Sequence, residues 1–204
     1  MNMFRSKTKL LLLLFFGISM GFLESIVVVY LRMLYYPNGF KIHMYGLPAS
    51  VIHIEMFREI MTIVMLIIIS VLTGEDKVRR FYYFIYLFGI WDIFYYVGLK
   101  VILNWPNSFF QWDILFLVPT PWMGPVLAPV IVSASLILYG VIMIMSEAKT
   151  MHVIQIISGL LGGAIVFMTF VFAIPYVRYS WYIFAMGEAL ILFSLFEGVK
   201  KSIL

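Results

Sequence analysis

Long apolar runs separated by short polar breaks organise this chain. A hydrocarbon layer about 30 Å thick takes about 20 mostly apolar residues per helix, which predicts spans at about 9–31, 51–73, 81–103, 122–146, 152–175 and 180–198. The breaks carry turn chemistry: Pro37-Asn38-Gly39 and Gly46-Leu47-Pro48, then Gly74-Glu75-Asp76-Lys77, Asn104-Trp105-Pro106-Asn107, Ser146-Glu147-Ala148-Lys149 and Pro175. The apolar stretch 109–118 is too short to span and reads as an interfacial or re-entrant helix carrying Asp113. Arg5, Lys7 and Lys9 precede the first run as in a signal peptide, but no small-residue cleavage site follows, so it reads as a retained helix. The expected fold is all-α: one polytopic transmembrane domain over 1–204, a bundle of six helices.

Composition agrees with that pattern. Of 204 residues, 64% are hydrophobic and 12% charged, against roughly 25% charged in an ordinary soluble domain. There is no cysteine, so disulfides, iron–sulfur clusters, c-type haem attachment and thiol nucleophiles are excluded. The net charge of +4 comes from basic residues in short loops beside apolar runs. That arrangement suits a lipid bilayer as partner and argues against nucleic acid.

Six spans put both termini on one side, with Arg5, Lys7, Lys9, Lys77, Arg79, Arg80, Lys149, Lys200 and Lys201. Opposite them fall Arg32, Lys41, Lys100 and Arg178. The positive-inside rule then predicts an integral, multi-pass protein with both termini cytoplasmic. Tyr35, Tyr36, Trp105, Trp112, Trp122, Tyr179 and Trp181 are expected as an aromatic belt at the outer interface. Gly17, Gly21 and Ser25, and likewise Gly159 and Gly163, recur every four residues, a spacing that lets helices approach closely in lipid.

The candidate chemistry is acidic. Glu75, Asp76, Glu147 and Glu197 fall at span ends, where water solvates them. Glu24, Glu55, Glu59, Asp92 and Glu188 instead fall roughly 7–17 Å below the outer boundary at 1.5 Å per residue. An ionised group at the bilayer centre costs at least about 2.5–3.5 kcal/mol, so these side chains are expected to face inward and find partners. At 100° per residue, Glu55, Arg58, Glu59, Thr62, Ser70 and Thr73 share one side of span two. Asp92, Tyr95, Tyr96 and Lys100 share one side of span three. Arg58 is the expected counter-ion, in a Glu55–Arg58–Glu59 network. Pro119, Pro121, Pro125 and Pro129 crowd the start of span four, predicting a proline-broken helix whose freed carbonyls line a cavity.

The candidate ligand- or ion-binding set is therefore Glu24, Glu55, Arg58, Glu59, Asp92, Tyr95, Tyr96, Asp113 and Glu188. Tyr95 and Tyr96 beside Asp92 would suit a flat or cationic ligand. Glu55, Glu59, Asp92 and Glu188 could hold a divalent metal ion, with His53 as an outlying further ligand. His53 points almost opposite Glu55 around the helix, and no metalloprotease motif or histidine pair is present. Three functions fit. The first is a protein that binds or translocates a cation, proton or small solute. The second is a membrane-embedded enzyme, metal-dependent or not, acting on a lipid or quinone-like substrate. The third is an accessory subunit, partnered by other membrane subunits or by its own copies. The bland alternative is a structural salt-bridge network that sets helix register.

Overall fold

A computed structural model describes residues 3–37, 39–40, 42 and 48–203. Asn38, Lys41, His43, Gly46 and Leu47 lie outside the described residues, as do the side chains of Arg5 and Lys201. Among the described residues six helices follow in order: α1 (Met3–Tyr35), α2 (Ala49–Thr73), α3 (Lys77–Leu103), α4 (Leu127–Met145), α5 (Val153–Val171) and α6 (Trp181–Ile203). All six are long and apolar enough to cross a membrane. Side chains such as Val64, Ile68 and Leu72 of α2 and Leu160 and Leu161 of α5 are exposed on the bundle surface, which only a lipid solvent tolerates at this density. The chain is thus a multi-pass membrane protein.

Local chemistry sets the helix ends. The Asp76 side chain accepts from the Arg79 amide at 2.9 Å and caps α3, and Asn104 ends it in the left-handed conformation at φ 52°. His152 and Gln155 form a reciprocal box at the start of α5, with the His152 amide donating to Gln155 Oε1 at 3.3 Å.

The segment before α4 departs from the helix expected there. Instead of an interfacial helix over 109–118 and a broken helix from 122, Trp112–Phe116 (β1) and Trp122–Pro125 (β2) pair as an antiparallel hairpin. Asp113 lies opposite Gly124, with an irregularity in register between Ile114 and Phe116. The prolines are the reason. Val118 and Thr120 each precede a proline and are pushed toward extended backbone, while Pro119, Pro121 and Pro125 cannot supply helical N–H donors. Pro129 is the third residue of an unbroken α4, where its missing N–H would have no intrahelical acceptor anyway.

The centre of the bundle is α3, flanked by α1 and α4 with α2 alongside. The α5–α6 pair joins mainly through α6 on α4 and through β2 on α5. The small-residue spacings are the seams. A Cβ on Gly21 would come within 2.7 Å of the Trp91 carbonyl oxygen, and one on Gly98 would collide with Ser25. Gly162 and Gly187 play the same part between α5 and α6. Among the described residues nothing lies within 4 Å of where a Gly163 Cβ would sit.

The two ends of the bundle differ. One carries both termini; the other, called the hairpin end below, carries the C-terminal ends of α1, α3 and α5 and the hairpin. The aromatic residues expected as an interfacial belt pack largely inward at that end: Trp105 and Tyr179 are buried, and the Trp122 ring meets Phe167 at 4.8 Å. Tyr179 packs on Trp112 of the hairpin, with ring centroids 6.2 Å apart.

Candidate functional site

Helical rise alone puts three carboxylates at one level. Glu24 lies eleven residues before the end of α1, Asp92 eleven before the end of α3, and Glu59 ten after the start of α2. Each is therefore roughly 15–17 Å along its axis from the hairpin end. The stripe formed by Glu59, Thr62, Leu66 and Ser70 is the buried face of α2, so the polar side of that helix turns inward as its phase requires.

One cavity of about 130 Å³ gathers most of the charge. It is lined by Glu24 and Arg32 of α1, Glu55, Arg58 and Glu59 of α2, Asp92 and Tyr95 of α3, and Asp113 of β1. Five carboxylates and two guanidiniums leave a formal excess of three negative charges.

Arg58 pairs with two acids on different helices and leaves one net negative charge on the three groups. Its Nε donates to Glu55 Oε2 at 2.8 Å, and its Nη1 pairs with Glu24. The Thr62 hydroxyl lies 3.4 Å from Glu24 Oε2 and 3.1 Å from the Arg58 carbonyl. Arg58 thus bridges Glu55 and Glu24, rather than Glu55 and Glu59 as expected. Glu59 instead accepts the Leu117 amide at 2.8 Å, a donor from the chain that follows β1.

Arg32 and Asp113 form the second pair, at 3.0 Å, both buried. The Arg32 guanidinium packs over the rings of both Trp105 and Phe40, 3.9 and 4.0 Å from their centroids. Such stacking offsets part of its lost hydration. Asp113 Oδ1 also accepts the Ile114 amide at 3.0 Å. Burial pushes the Asp113 carboxyl up to about 6 from its ordinary 3.8, against the opposing pull of Arg32 and the Ile114 amide. The Tyr95 and Tyr96 hydroxyls are close enough to favour its charge, although Oδ2 completes no hydrogen bond among the described residues.

Asp92 is different. Its Oδ2 accepts from Ser133 Oγ of α4 at 2.8 Å, and among the described residues no cation pairs with it. Glu59 likewise has no ion pair among the described residues. These two carboxylates, with the one negative charge left over where Arg58 serves both Glu24 and Glu55, make up the excess of the cavity.

Three expected members do not line the cavity. Tyr96 packs with Val29, Leu99 and Trp105 outside the cavity wall. Glu188 is buried in α6 facing Ser135 of α4, with neither oxygen in good hydrogen-bond geometry among the described residues. His53 is exposed on α2. Among the described residues no group of three or more His, Asp or Glu side chains is arranged to hold a metal ion, so Glu55, Glu59, Asp92, Glu188 and His53 form no such cluster. Lys100 turns away from Asp92 and donates to the carbonyls of Asn104 and Pro106.

Sequence reasoning missed Arg32 as a site residue, along with Ser133 and the Leu117 amide. A signal for Arg32 was present, because Glu24, Val28 and Arg32 recur every four residues on one helical face. Ending the first span at residue 31 hid it. Comparison of the chain with family models, with curated proteins and with solved structures finds no match in any of the three.

Proposed function

We propose that this membrane protein binds a small cation or protonated solute in the acidic cavity at the hairpin end, with that end facing away from the cytoplasm. The observation that carries this reading is the pair Glu59 and Asp92, two cavity-lining carboxylates without an ion-pair partner among the described residues. Leaving an ionised carboxylate uncompensated at this depth is costly, so a bound cation or proton stabilises it. The paired groups have a separate part. Glu24–Arg58–Glu55 and Arg32–Asp113 cross-link α1 to α2 and α1 to the hairpin, holding the walls while Glu59 and Asp92 stay available. The excess of basic residues on the terminal side supports the orientation.

The test uses purified protein in lipid nanodiscs, titrated calorimetrically with sodium, potassium and methylammonium. Saturable binding of one of these is expected, lost in Glu59→Gln and in Asp92→Asn. In proteoliposomes, uptake of the same cation separates a translocating protein from one that only binds. Absence of saturable binding for every cation, with no proton uptake or release on changing pH, defeats the reading.

A further inference from the structure

A second cavity meets the first at Asp92. Its volume is about 730 Å³, within the range of about 300–1,000 Å³ typical of small-molecule sites. The two share Trp91, Asp92, Leu115 and Phe116 as lining. The larger one lies between α3 and α4 on one side and α5 on the other, where α5 leans on α6 and leaves the bundle unfilled.

Its walls are apolar, with Ile85, Phe88, Leu136, Leu160 and Phe167 among them. A space this large with such walls does not hold ordered water, which needs two to four polar partners per molecule. An alkyl tail from the surrounding bilayer is the filling that its chemistry accepts. Gly163, on its α5 wall, is exposed, and a Cβ there would meet no atom of the described residues within 4 Å.

The polar atoms along the cavity decide which way such a molecule lies. Tyr139, Gln155 and Ser194 already satisfy one another: Gln155 Nε2 donates to the Tyr139 hydroxyl at 2.8 Å, that hydroxyl meets Ser194 Oγ at 2.8 Å, and Ser194 Oγ donates to the Gln155 carbonyl at 2.7 Å. Asp92, beside Ser133, is the lining residue with charge to offer. We infer that the joined cavities bind a single-tailed amphiphile with a protonated amine, its ammonium on Asp92 and its tail in the apolar cavity beside α5, entering sideways from the bilayer. This rests on the cation reading of the acidic cavity and names the ligand class.

The probe is dodecylamine carrying a diazirine near its tail end, with dodecanoic acid carrying the same group as the control. Each is photolysed with the protein in nanodiscs, and the adducts are mapped by mass spectrometry. Adducts concentrated on the cavity walls of α4 and α5 are expected, displaced by unlabelled dodecylamine, with the amine labelling at least fivefold more than the acid. Gly163→Phe should fill the cavity and cut that labelling at least fivefold while methylammonium binding persists. Gly163→Ala, too small to fill it, should label like wild type and controls for folding. Asp92→Asn should abolish the preference for amine over acid while tail labelling remains.

Labelling spread evenly over the lipid face, equal labelling by the acid, or labelling undiminished in a folded Gly163→Phe protein overturns the proposal. Methylammonium binding without amine labelling sinks the amphiphile alone. Amine labelling without methylammonium binding sinks the small-cation reading alone.

Discussion

Removing Arg58 should expose how the acidic cavity is held together. In Arg58→Met the aliphatic stem is kept and the charge is lost, so Glu24 and Glu55 face each other with no counter-ion. All three side chains are largely shielded, with 21% of Arg58, 10% of Glu24 and 12% of Glu55 exposed. Breaking one partner of a buried pair typically costs about 3–5 kcal/mol. The partial exposure of the guanidinium and the modest polar couplings measured within membranes, at most about 1.7 kcal/mol, pull the figure toward the lower bound of about 3. Glu24→Gln should cost only about 1 kcal/mol, since Arg58 keeps Glu55 and the new amide keeps a hydrogen bond. The triple variant Arg58→Met, Glu24→Gln, Glu55→Gln conserves volume and removes every charge, so it should return to within about 1.5 kcal/mol of wild type. Unfolding in mixed micelles by SDS titration, followed by tryptophan fluorescence, reads these differences. The reasoning fails if Arg58→Met lies within 1 kcal/mol of wild type, or if the triple variant is no more stable than Arg58→Met.

Other parts of the structure make independent predictions. Gly21→Leu forces atoms onto the Trp91 carbonyl and Phe94 and should destabilise by about 1–3 kcal/mol; Gly163→Ala, in open space, should be neutral in the same titration. Gln155→Leu strands the Tyr82 hydroxyl, which Gln155 Nε2 reaches at 3.1 Å, and leaves Tyr139 with its Ser194 contact, for a loss of about 1–3 kcal/mol; Tyr82→Phe in the same background should recover part of it. Asp113, raised to about 6 when folded against 3.8, binds its proton more readily in the folded state. Its contribution to stability is therefore fully present below about pH 4 and lost as pH rises through about 6. Stability measured across that window should have a shallower pH slope in Asp113→Asn, and an unchanged slope contradicts the burial of this carboxyl.

Six spans were legible because the length and polarity demanded by a bilayer leave few alternatives, and the observed helices start and stop within a few residues of the breaks. Charge inside an apolar helix was legible too: Glu24, Glu55, Glu59 and Asp92 had to turn inward, and they line one cavity. Neighbourhood was harder to read. Glu188 was identifiable as buried, but whether α6 would bring it to the acidic group depends on which helices touch. Its face meets α4 at Ser135 rather than α2. The hairpin was hidden because a run such as Trp112–Phe116 fits helix or strand equally. The deciding information was Val118-Pro119 and Thr120-Pro121, whose prolines act on the residues before them and exclude helix instead of kinking one. That difference moves Asp113 from an interfacial helix to a β-strand sealed against Arg32.

The absence of cysteine makes the charge of the cavity directly measurable. Ile52 lines it without being one of its acids, so Ile52→Cys in an otherwise unchanged chain gives a single reporter thiol. In intact vesicles, a cationic methanethiosulfonate reagent and an anionic one of similar size should reach that thiol from the side opposite the termini. The cationic reagent should react at least about tenfold faster, the ratio produced by about 1.4 kcal/mol of electrostatic preference, and the preference should shrink in Asp92→Asn and Glu59→Gln. Equal rates for the two reagents, or faster reaction with the anion, would contradict a cavity poised to take a cation.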